Sequence, residues 1–592
     1  MTATIRGIAF AALPALWVPT AAAQVNPAAV GEEAAPPDLI RVNQLGYFPD
    51  ATKRVAVLVP PGEAGPFRVL DAEGATVLGG TLSEERDWTE LAGHRVRLAD
   101  FSALAEPGTY RLSVDGVGES YPFDVSDDPY AEVLPAAVKS YTYQRASVPV
   151  EEATGGRWAR AAGHPDDEVR FHKTSGRAGE DPYSSPGGWY DAGDYNKYIV
   201  NAGFSVGIML QLLDQHPDVL PDGSIDFVDA GNGRGDLLDE IKYELDWMLT
   251  MQDPADGGVH HKLTTLSFEG MVMPEVATSQ RYILAKGTTA TLDFAACMAL
   301  GARVFAAADE EDYAERLLEA AVRAYGWALA NPAVAFRNPE DVHTGEYGDD
   351  DFSDEWTWAT MELYLTTRNP EFLRPEWLET IDVRFRAGEN WTGYMSNLAA
   401  YSLTHVIEPD DVAVDATLGY PAEWYRPVHA GLIALADSII EVAEGYAYHQ
   451  PIADWHWGST SDVLGAAMVT ANAYRLTGEE RSLQATRQYV DWVFGYNATG
   501  YSFVTGFGER TPMFIHHRPS AADGIVDPVP GFIVGGPNTY QQDTSNNVTY
   551  LVAPGEAPMA SYADQEGSYA SNEVCLNWNA PLIYILGFTS LD

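Results

Sequence analysis

The chain has 592 residues, 46% of them hydrophobic and 20% charged, with 85 Asp+Glu against 36 Lys+Arg and a formal charge of -49. A chain this long outgrows one hydrophobic core, so at least two domains are expected, and the composition excludes disorder or a fibre over most of the length. A surface this negative repels phosphate backbones and anionic lipid, which argues against nucleic acid and membranes as partners. Only seven of the basic residues are Lys, and sparse Lys with abundant carboxylate fits a high-salt habitat, where screening relaxes self-repulsion.

Residues 1–23 read as a secretory leader. Arg6 supplies the charged start, Gly7 to Val18 the apolar stretch and Ala21-Ala22-Ala23 the cleavage site. The apolar stretch is too short to span a bilayer, and no later run holds 18 uncharged apolar residues. The mature protein is therefore expected to be secreted, extracellular or periplasmic, with no membrane partner. Two Cys, Cys297 and Cys575, exclude a disulfide framework and a Cys-rich zinc site, and both read as small buried hydrophobes.

A Pro/Ala/Glu linker over 24–38 leads into β-patterned sequence over 39–127. Short alternating runs such as Val55 to Val59, His94 to Leu98 and Thr109 to Val114 are broken by Pro61-Gly62, Pro107-Gly108 and Asp115-Gly116, which predicts one small sandwich. From 128 to 592 the periodicity is helical: Leu237, Ile241, Leu245 and Met248 form one stripe, and similar runs lie near 131–144, 196–214, 288–307, 311–330, 354–366, 428–444, 462–476 and 482–495. Paired helices over some 460 residues without a fixed repeat predict a closed α/α toroid. Its loops are long and rich in Trp, Tyr, Gly and Asp, and loops on a rigid frame carry function.

Three loop segments concentrate polar and aromatic side chains. In Gly187-Gly188-Trp189-Tyr190-Asp191-Ala192-Gly193-Asp194, two carboxylates three residues apart can share one water; a helix cap or a calcium loop would use the same residues. Ser502 to Arg510 runs on to Ile515-His516-His517-Arg518, where His and Arg can hydrogen-bond a hydroxylated ligand. Tyr562-Ala563-Asp564 and Tyr569-Ala570-Ser571-Asn572-Glu573 precede the last apolar run, where Glu573 could equally be a helix-start Glu favoured by the dipole. Together these match what glycoside hydrolysis needs: an acid for the leaving oxygen, a second carboxylate acting on water or the anomeric carbon, and aromatic platforms, for which Trp189 and Trp457 are candidates.

The chain resembles glycoside hydrolase family 9, the inverting β-1,4-glucanases, over nearly its whole mature length. Val42-Asn43-Gln44-Leu45-Gly46-Tyr47 is similar to the start of the immunoglobulin-like module that precedes the catalytic domain in one branch. The Gly187 to Asp194 stretch matches the family's base motif, Ser502 to Arg518 its His-containing signature, and Tyr562, Asp564, Tyr569, Glu573, Asn579 and Ala580 its Asp/Glu signature. Cys575 departs from it, standing where Ser, Thr or Ala is expected.

The resemblance implies an immunoglobulin-like β-sandwich followed by an all-α (α/α)6 barrel of twelve helices. It makes Asp194 the general base, Asp191 its partner on the attacking water and Glu573 the general acid, with Asp564 positioning or tuning that acid. His516 and Arg518 would hydrogen-bond the sugar, Tyr569 would shape the same subsite, and inversion requires the Asp194 and Glu573 carboxyls roughly 6.5–9.5 Å apart. No cofactor is needed for catalysis. Tyr347 to Glu355 resembles a calcium loop found in parts of the family, with Asp354 and Glu355 as ligands; a solvated acidic loop is the alternative. The segment Ala162 to Asp167 lacks the Cys of the zinc site in some relatives, so no zinc is expected. The partner is then a β-1,4-glucan or cello-oligosaccharide bound by a monomer. Exo-acting release from short oligomers, a glucosamine oligomer as substrate and a non-catalytic sugar-binding protein are the alternatives. The sandwich is expected to support the barrel.

Overall fold

The computed structural model describes residues 39–58, 65–226, 228–374, 381, 383–385, 395–407 and 422–591; the leader and linker expected over 1–38 lie outside the described residues. Among the described residues, ten strands build the N-terminal sandwich. One sheet runs β1 (Ile40–Arg41), β3 (Arg54–Leu58), β7 (His94–Asp100), β6 (Arg86–Trp88). The other runs β2 (Gly46–Tyr47), β10 (Phe123–Val125), β8 (Gly108–Val114), β4 (Phe67–Leu70), β5 (Thr76–Gly80), with β9 (Gly118–Glu119) on β8. Among the described residues of the sandwich, β2 and β10 pair in parallel and the other pairs are antiparallel.

Along β3 both faces are buried. Val55 and Val57 enter the core between the sheets with Phe67, Leu112 and Phe123, whereas Ala56 and the neighbouring Val96 of β7 join the core that continues into the helical domain. A strand's side chains alternate between faces, so this sheet carries one apolar face into the sandwich and the other onto the helices. Trp88 against Tyr446 (ring centroids 5.7 Å) and the Arg487 guanidinium over Phe48 (4.3 Å) extend the contact.

Eleven long helices follow among the described residues: α1 (Val133–Gln144), α2 (Ile199–Gln215), α3 (Asp236–Thr250), α4 (Thr288–Ala307), α5 (Glu311–Ala330), α6 (Ser353–Thr367), α7 (Met395–Val406), α8 (Ala422–Glu444), α9 (Ser459–Thr477), α10 (Glu480–Val493) and α11 (Leu576–Thr589). Their burial separates two classes. Helices α2, α4, α6, α7, α9 and α11 are buried almost all round, whereas α5 buries one stripe and exposes the other, and α3 and α10 leave one stripe only partly covered. A helix apolar on all sides belongs inside and an amphipathic one outside. Inner α4 packs on α2 and α6, α6 on α7, and α11 on α2 and α9, as a closed inner ring requires. The connection from α6 to α7 includes residues outside the described set. Helix α4 is long and apolar enough to cross a membrane, yet most of it is buried inside the barrel.

One element departs from the all-helical expectation. Strands β11 (Arg170–Phe171), β14 (Tyr282–Ile283), β13 (Lys262–Thr264) and β12 (Lys197–Tyr198) form a small sheet. Runs of two or three residues are too short to show a period of two, so nothing in the pattern announces them.

The Val42 to Tyr47 motif is explained by the domain contact. Buried Asn43 reaches Tyr130 Oη (2.9 Å) and Asp491 Oδ1 (2.8 Å) through Nδ2. Gln44 donates from Nε2 to the Gly500 carbonyl (2.9 Å) and accepts at Oε1 from the Glu509 and Arg510 amides (both 2.9 Å). One carboxamide of the sandwich thus ties three points of the loop that leads to His516. Gln44→Ala strands two amides, each costing about 1–3 kcal/mol; we expect a loss of about 2–4 kcal/mol in chemical denaturation and a parallel fall in activity.

Candidate active site

The three motif segments reach the barrel end where inner helices begin. Asp191 and Asp194 precede α2, Glu573 precedes α11, Trp457 precedes α9, and Tyr347 lies shortly before α6. Helix N-termini carry partial positive charge, so this end favours carboxylates. The pocket there has a volume of about 360 Å³, and its walls include Asp191, Asp194, Glu573, Tyr347, Phe268, Trp457 and Trp578.

Close packing brings the segments together. Gly193 must be glycine because a Cβ would lie 2.1 Å from the His516 carbonyl oxygen. The Asp191 carbonyl accepts from the Leu576 amide (3.0 Å), and the His516 amide donates to Asn572 (2.9 Å), directly before Glu573. Glu573 is in extended conformation ahead of α11, whose N-cap is Cys575, so it is not a first-turn helix residue.

Each carboxyl has distinct partners. Asp191 accepts from Asn201 Nδ2 at Oδ1 (2.6 Å) and from the Tyr347 hydroxyl at Oδ2 (2.7 Å). Asp194 accepts at Oδ2 from the Asn196 amide (3.4 Å) and side chain, and Asn196 is fixed in turn by Thr264 Oγ1 and the Thr265 amide (both 2.9 Å). Oδ1 of Asp194 makes no hydrogen bond to the described residues. Burial raises all three pKa values first, and mutual repulsion adds to it for Asp191 and Glu573. Arg518 opposes the rise at Asp194 and Glu573, and Lys262 at Asp191. Glu573 is pushed well above the carboxylate range while Asp194, next to Arg518 and hydrogen-bonded by Asn196, rises less.

Other expected site residues behave differently. Trp189 is 1% exposed and is no platform: its amide donates to Glu244 (2.6 Å), its Nε1 to Glu240 (2.7 Å), and its ring meets Tyr141 edge-on (4.6 Å). Trp457 is 42% exposed on the pocket wall, with Tyr569 tilted against it at 5.1 Å. Arg518 is buried; its Nη1 donates to the Gly193 carbonyl (2.6 Å) and its Nε to the Glu269 carbonyl (3.0 Å), so it clamps the base loop and brings charge to it, with its guanidinium over Phe268 of the pocket wall (5.7 Å). Asp564 does not line the pocket. Its oxygens accept from the Met513 (3.0 Å) and Phe514 (2.8 Å) amides and Asn572 Nδ2 (3.1 Å), bracing the turn before His516. His516 Nδ1 lies 2.7 Å from the Glu566 carbonyl, which only accepts, so Nδ1 carries the proton. Burial lowers its pKa to about 4, leaving a neutral ring whose Nε2 is an acceptor.

The sequence reading overlooked Tyr347, Phe268 and Asn201. Tyr347 stood inside the acidic run assigned to metal, and its left-handed φ of 47° is the kind of strain that marks functional loops. The acidic run is mixed: Asp350 and Asp351 are exposed and Asp349 half-buried, whereas Asp354 and Glu355 are buried. Asp354 and Glu355 in the first turn of α6 hold carboxylate oxygens with no hydrogen-bond partner among the described residues, as do Asp293 of α4 and one oxygen of Asp349. The loop part of the run is solvated and its helical end is not. Uncompensated buried carboxylates are the donor set a hard dication satisfies, although no three His, Cys, Asp or Glu converge as a ready cage among the described residues. Calcium fits these residues if backbone oxygens and water complete its shell.

Comparison with known proteins places the chain. Residues 130–586 match the description "Glycosyl hydrolase family 9", and residues 35–119 the "Cellulase N-terminal ig-like domain". A xyloglucan-specific endo-β-1,4-glucanase of Bacteroides ovatus is 40% identical over 94% of both chains, and endoglucanase D of Acetivibrio thermocellus is 31% identical over 93% of this chain and 84% of its own. Among solved structures, a Bacteroides ovatus family 9 protein superposes with a TM-score of 0.83 at 37% identity, covering 93% of this chain and 99% of its own. A thermostable endoglucanase of Alicyclobacillus acidocaldarius superposes with 0.82 at 31% identity, covering 94% and 100%. An immunoglobulin-like sandwich ahead of an (α/α)6 barrel, with the carboxylate motifs at one barrel end, makes this chain a member of glycosyl hydrolase family 9.

Proposed function

We propose that the protein is an exported endo-β-1,4-glucanase that cleaves with inversion, Asp194 acting as base and Glu573 as acid. The observation that carries this reading is that Asp194 and Glu573 face one pocket in unlike surroundings, Asp194 bonded by Asn196 and near Arg518, Glu573 buried with its pKa pushed further up. Where two carboxyls are pushed apart, the higher one is the acid and the lower one the base. Glu573 keeps its proton for the leaving oxygen. Asp194, with Oδ1 free, takes the proton of a water that attacks the anomeric carbon from the other side. Asp191, fixed by Tyr347 and Asn201, accepts that water's second hydrogen bond, and His516 Nε2 accepts from a sugar hydroxyl.

A polymeric substrate is supported by the exposed aromatic side chains. Those among the described residues are Phe268, Trp457, Phe514 and Tyr540, and every one belongs to a segment that builds or borders the pocket. Tyr540, 58% exposed, stacks on His456 (5.4 Å), the neighbour of Trp457, which continues the aromatic wall outward. Exposed aromatic surface gathered in one place marks a binding site. The specificity of the Bacteroides ovatus relative makes xyloglucan the first polymer to test. We also propose a structural calcium ion at Asp354 and Glu355.

Purified protein incubated with xyloglucan, carboxymethylcellulose, cellohexaose and chitosan oligomers should lower the viscosity of a polymer quickly and release a spread of oligomers. Glucose or cellobiose alone would mean exo attack, and glucosamine release a different substrate class. Glu573→Gln and Asp194→Asn should each lose about 10²–10⁴-fold in kcat. The kcat/KM profile should be bell-shaped, its acid limb set by protonation of Asp194 above the ordinary Asp value and its alkaline limb by ionisation of Glu573. Tyr347→Phe removes a donor to the charged form of Asp191, raising that pKa further and lowering kcat about tenfold. Finally, Tm should rise with free calcium and fall on chelation, a dependence lost in Asp354→Asn; a Tm indifferent to calcium sinks the metal assignment.

A further inference from the structure

We infer that Asp166, which lies outside the pocket, is a positioning residue for the catalytic base. The inference rests on the reading of Asp194 as that base. The loop from Ser185 to Lys197 is held chiefly through its carbonyls. Lys197 Nζ donates back to Gly187 (2.7 Å) and Ser185 (3.3 Å), Gln144 Nε2 to Ala192 (2.8 Å), Arg518 Nη1 to Gly193 (2.6 Å) and Arg281 Nη1 to Tyr195 (2.6 Å). Asp194 therefore sits between two carbonyls, each gripped by a buried guanidinium.

Two of the three cations meet at one anion. Asp166 Oδ2 lies 2.7 Å from Lys197 Nζ, and Oδ1 lies 2.9 Å from Arg281 Nε, with all three side chains at most 5% exposed. Lys197 grips the start of the loop and Arg281 its end, so Asp166 fixes the distance between them. Its own placement is imposed: Asp166 and His164 flank Pro165 with left-handed φ values of 51° and 48°, which non-glycine residues hold only when the surroundings over-determine them. The Asp166 carbonyl also accepts from the Ser185 amide (2.7 Å), binding the anchor to the loop it serves. This is the segment that lacks the cysteines of a zinc site; here an ion-pair node occupies the ground beneath the base.

The node also carries charge information. Asp194 faces Arg518, Arg281, Asp191 and Glu573, with Lys262 behind it. Asp166 neutralises part of the Arg281 charge. Without it, the full positive charge acts on Asp194 and favours the ionised base.

The test is Asp166→Asn, which keeps the shape and removes the charge. The expected result is a kcat about 10–100-fold lower, as a displaced base requires, with KM changed less than about threefold and the acid limb of kcat/KM moved to lower pH. Asp166→Glu, which keeps the charge, should leave that limb in place, a distinction a merely structural role would not produce. Should Asp166→Asn fail to fold, Arg281→Lys keeps the charge while losing the grip on Tyr195, and should lower kcat with the acid limb little moved. A folded Asp166→Asn, or in its absence Arg281→Lys, with wild-type kcat and acid limb overturns the proposal. Asp194→Ala separates the two levels: activity retained there removes the base reading and this proposal with it, whereas an inactive Asp194→Ala beside a wild-type-like Asp166→Asn overturns the anchor alone.

Discussion

Carboxyl groups that share a water-poor pocket repel one another when ionised, and burial penalises each charge separately. Asp191, Asp194 and Glu573 stand under both pressures, and much of the surrounding structure answers them. The cations that offset the repulsion are placed behind the site. Arg518 and Lys262 are buried, and both direct donors to backbone carbonyls, Gly193 and Glu269 for the first and Gly345 for the second (2.5 Å). They raise the local potential while their bonded donors hold the backbone of the site. The same donors fix the loops, so one set of side chains provides charge and rigidity together.

The constraint extends beyond the barrel. The loop carrying His516 and Arg518 leaves the core at Gly500 and is held at Gly500, Glu509 and Arg510 by Gln44, a residue of the sandwich. Asp564 then braces Met513 and Phe514 from the other side. Hydrogen bonds and the intervening backbone together thus lead from the immunoglobulin-like module to the guanidinium that faces the base. The N-terminal module is part of the scaffold of the site.

Much of this was legible in the sequence, for identifiable reasons. The carboxylates lie in short motifs whose glycines and aromatics are fixed by close packing, so Gly193-Asp194 and Asn572-Glu573 announce themselves. Sandwich and helices follow from their periods. What failed depends on three-dimensional context. Trp189 and Trp457 are the same residue type beside similar neighbours, and only the fold decides that one is core and the other a wall. The grip of Arg518 on the Gly193 and Glu269 carbonyls joins segments far apart in the chain and has no local signal. Tyr347 and Phe268 reach the pocket from loops without a motif, and Asp166 matters only because residues 31 and 115 positions further along the chain converge on it. The strands of the small sheet are too short to have a pattern.

Strand β3 has no free side, because Val55 and Val57 belong to one core and Ala56 to the other. In protein-engineering terms, the segment between Val125 and Val133 looks like a natural crossover point for recombining modules from different relatives, and it is a poor one. A cut there would exchange half of an interior along with the module, together with the glutamine that the recipient loop was folded around. Chimeras are better drawn so that Gln44, the outward face of β3 and β7, and the Gly500–Arg510 loop travel as one inherited block.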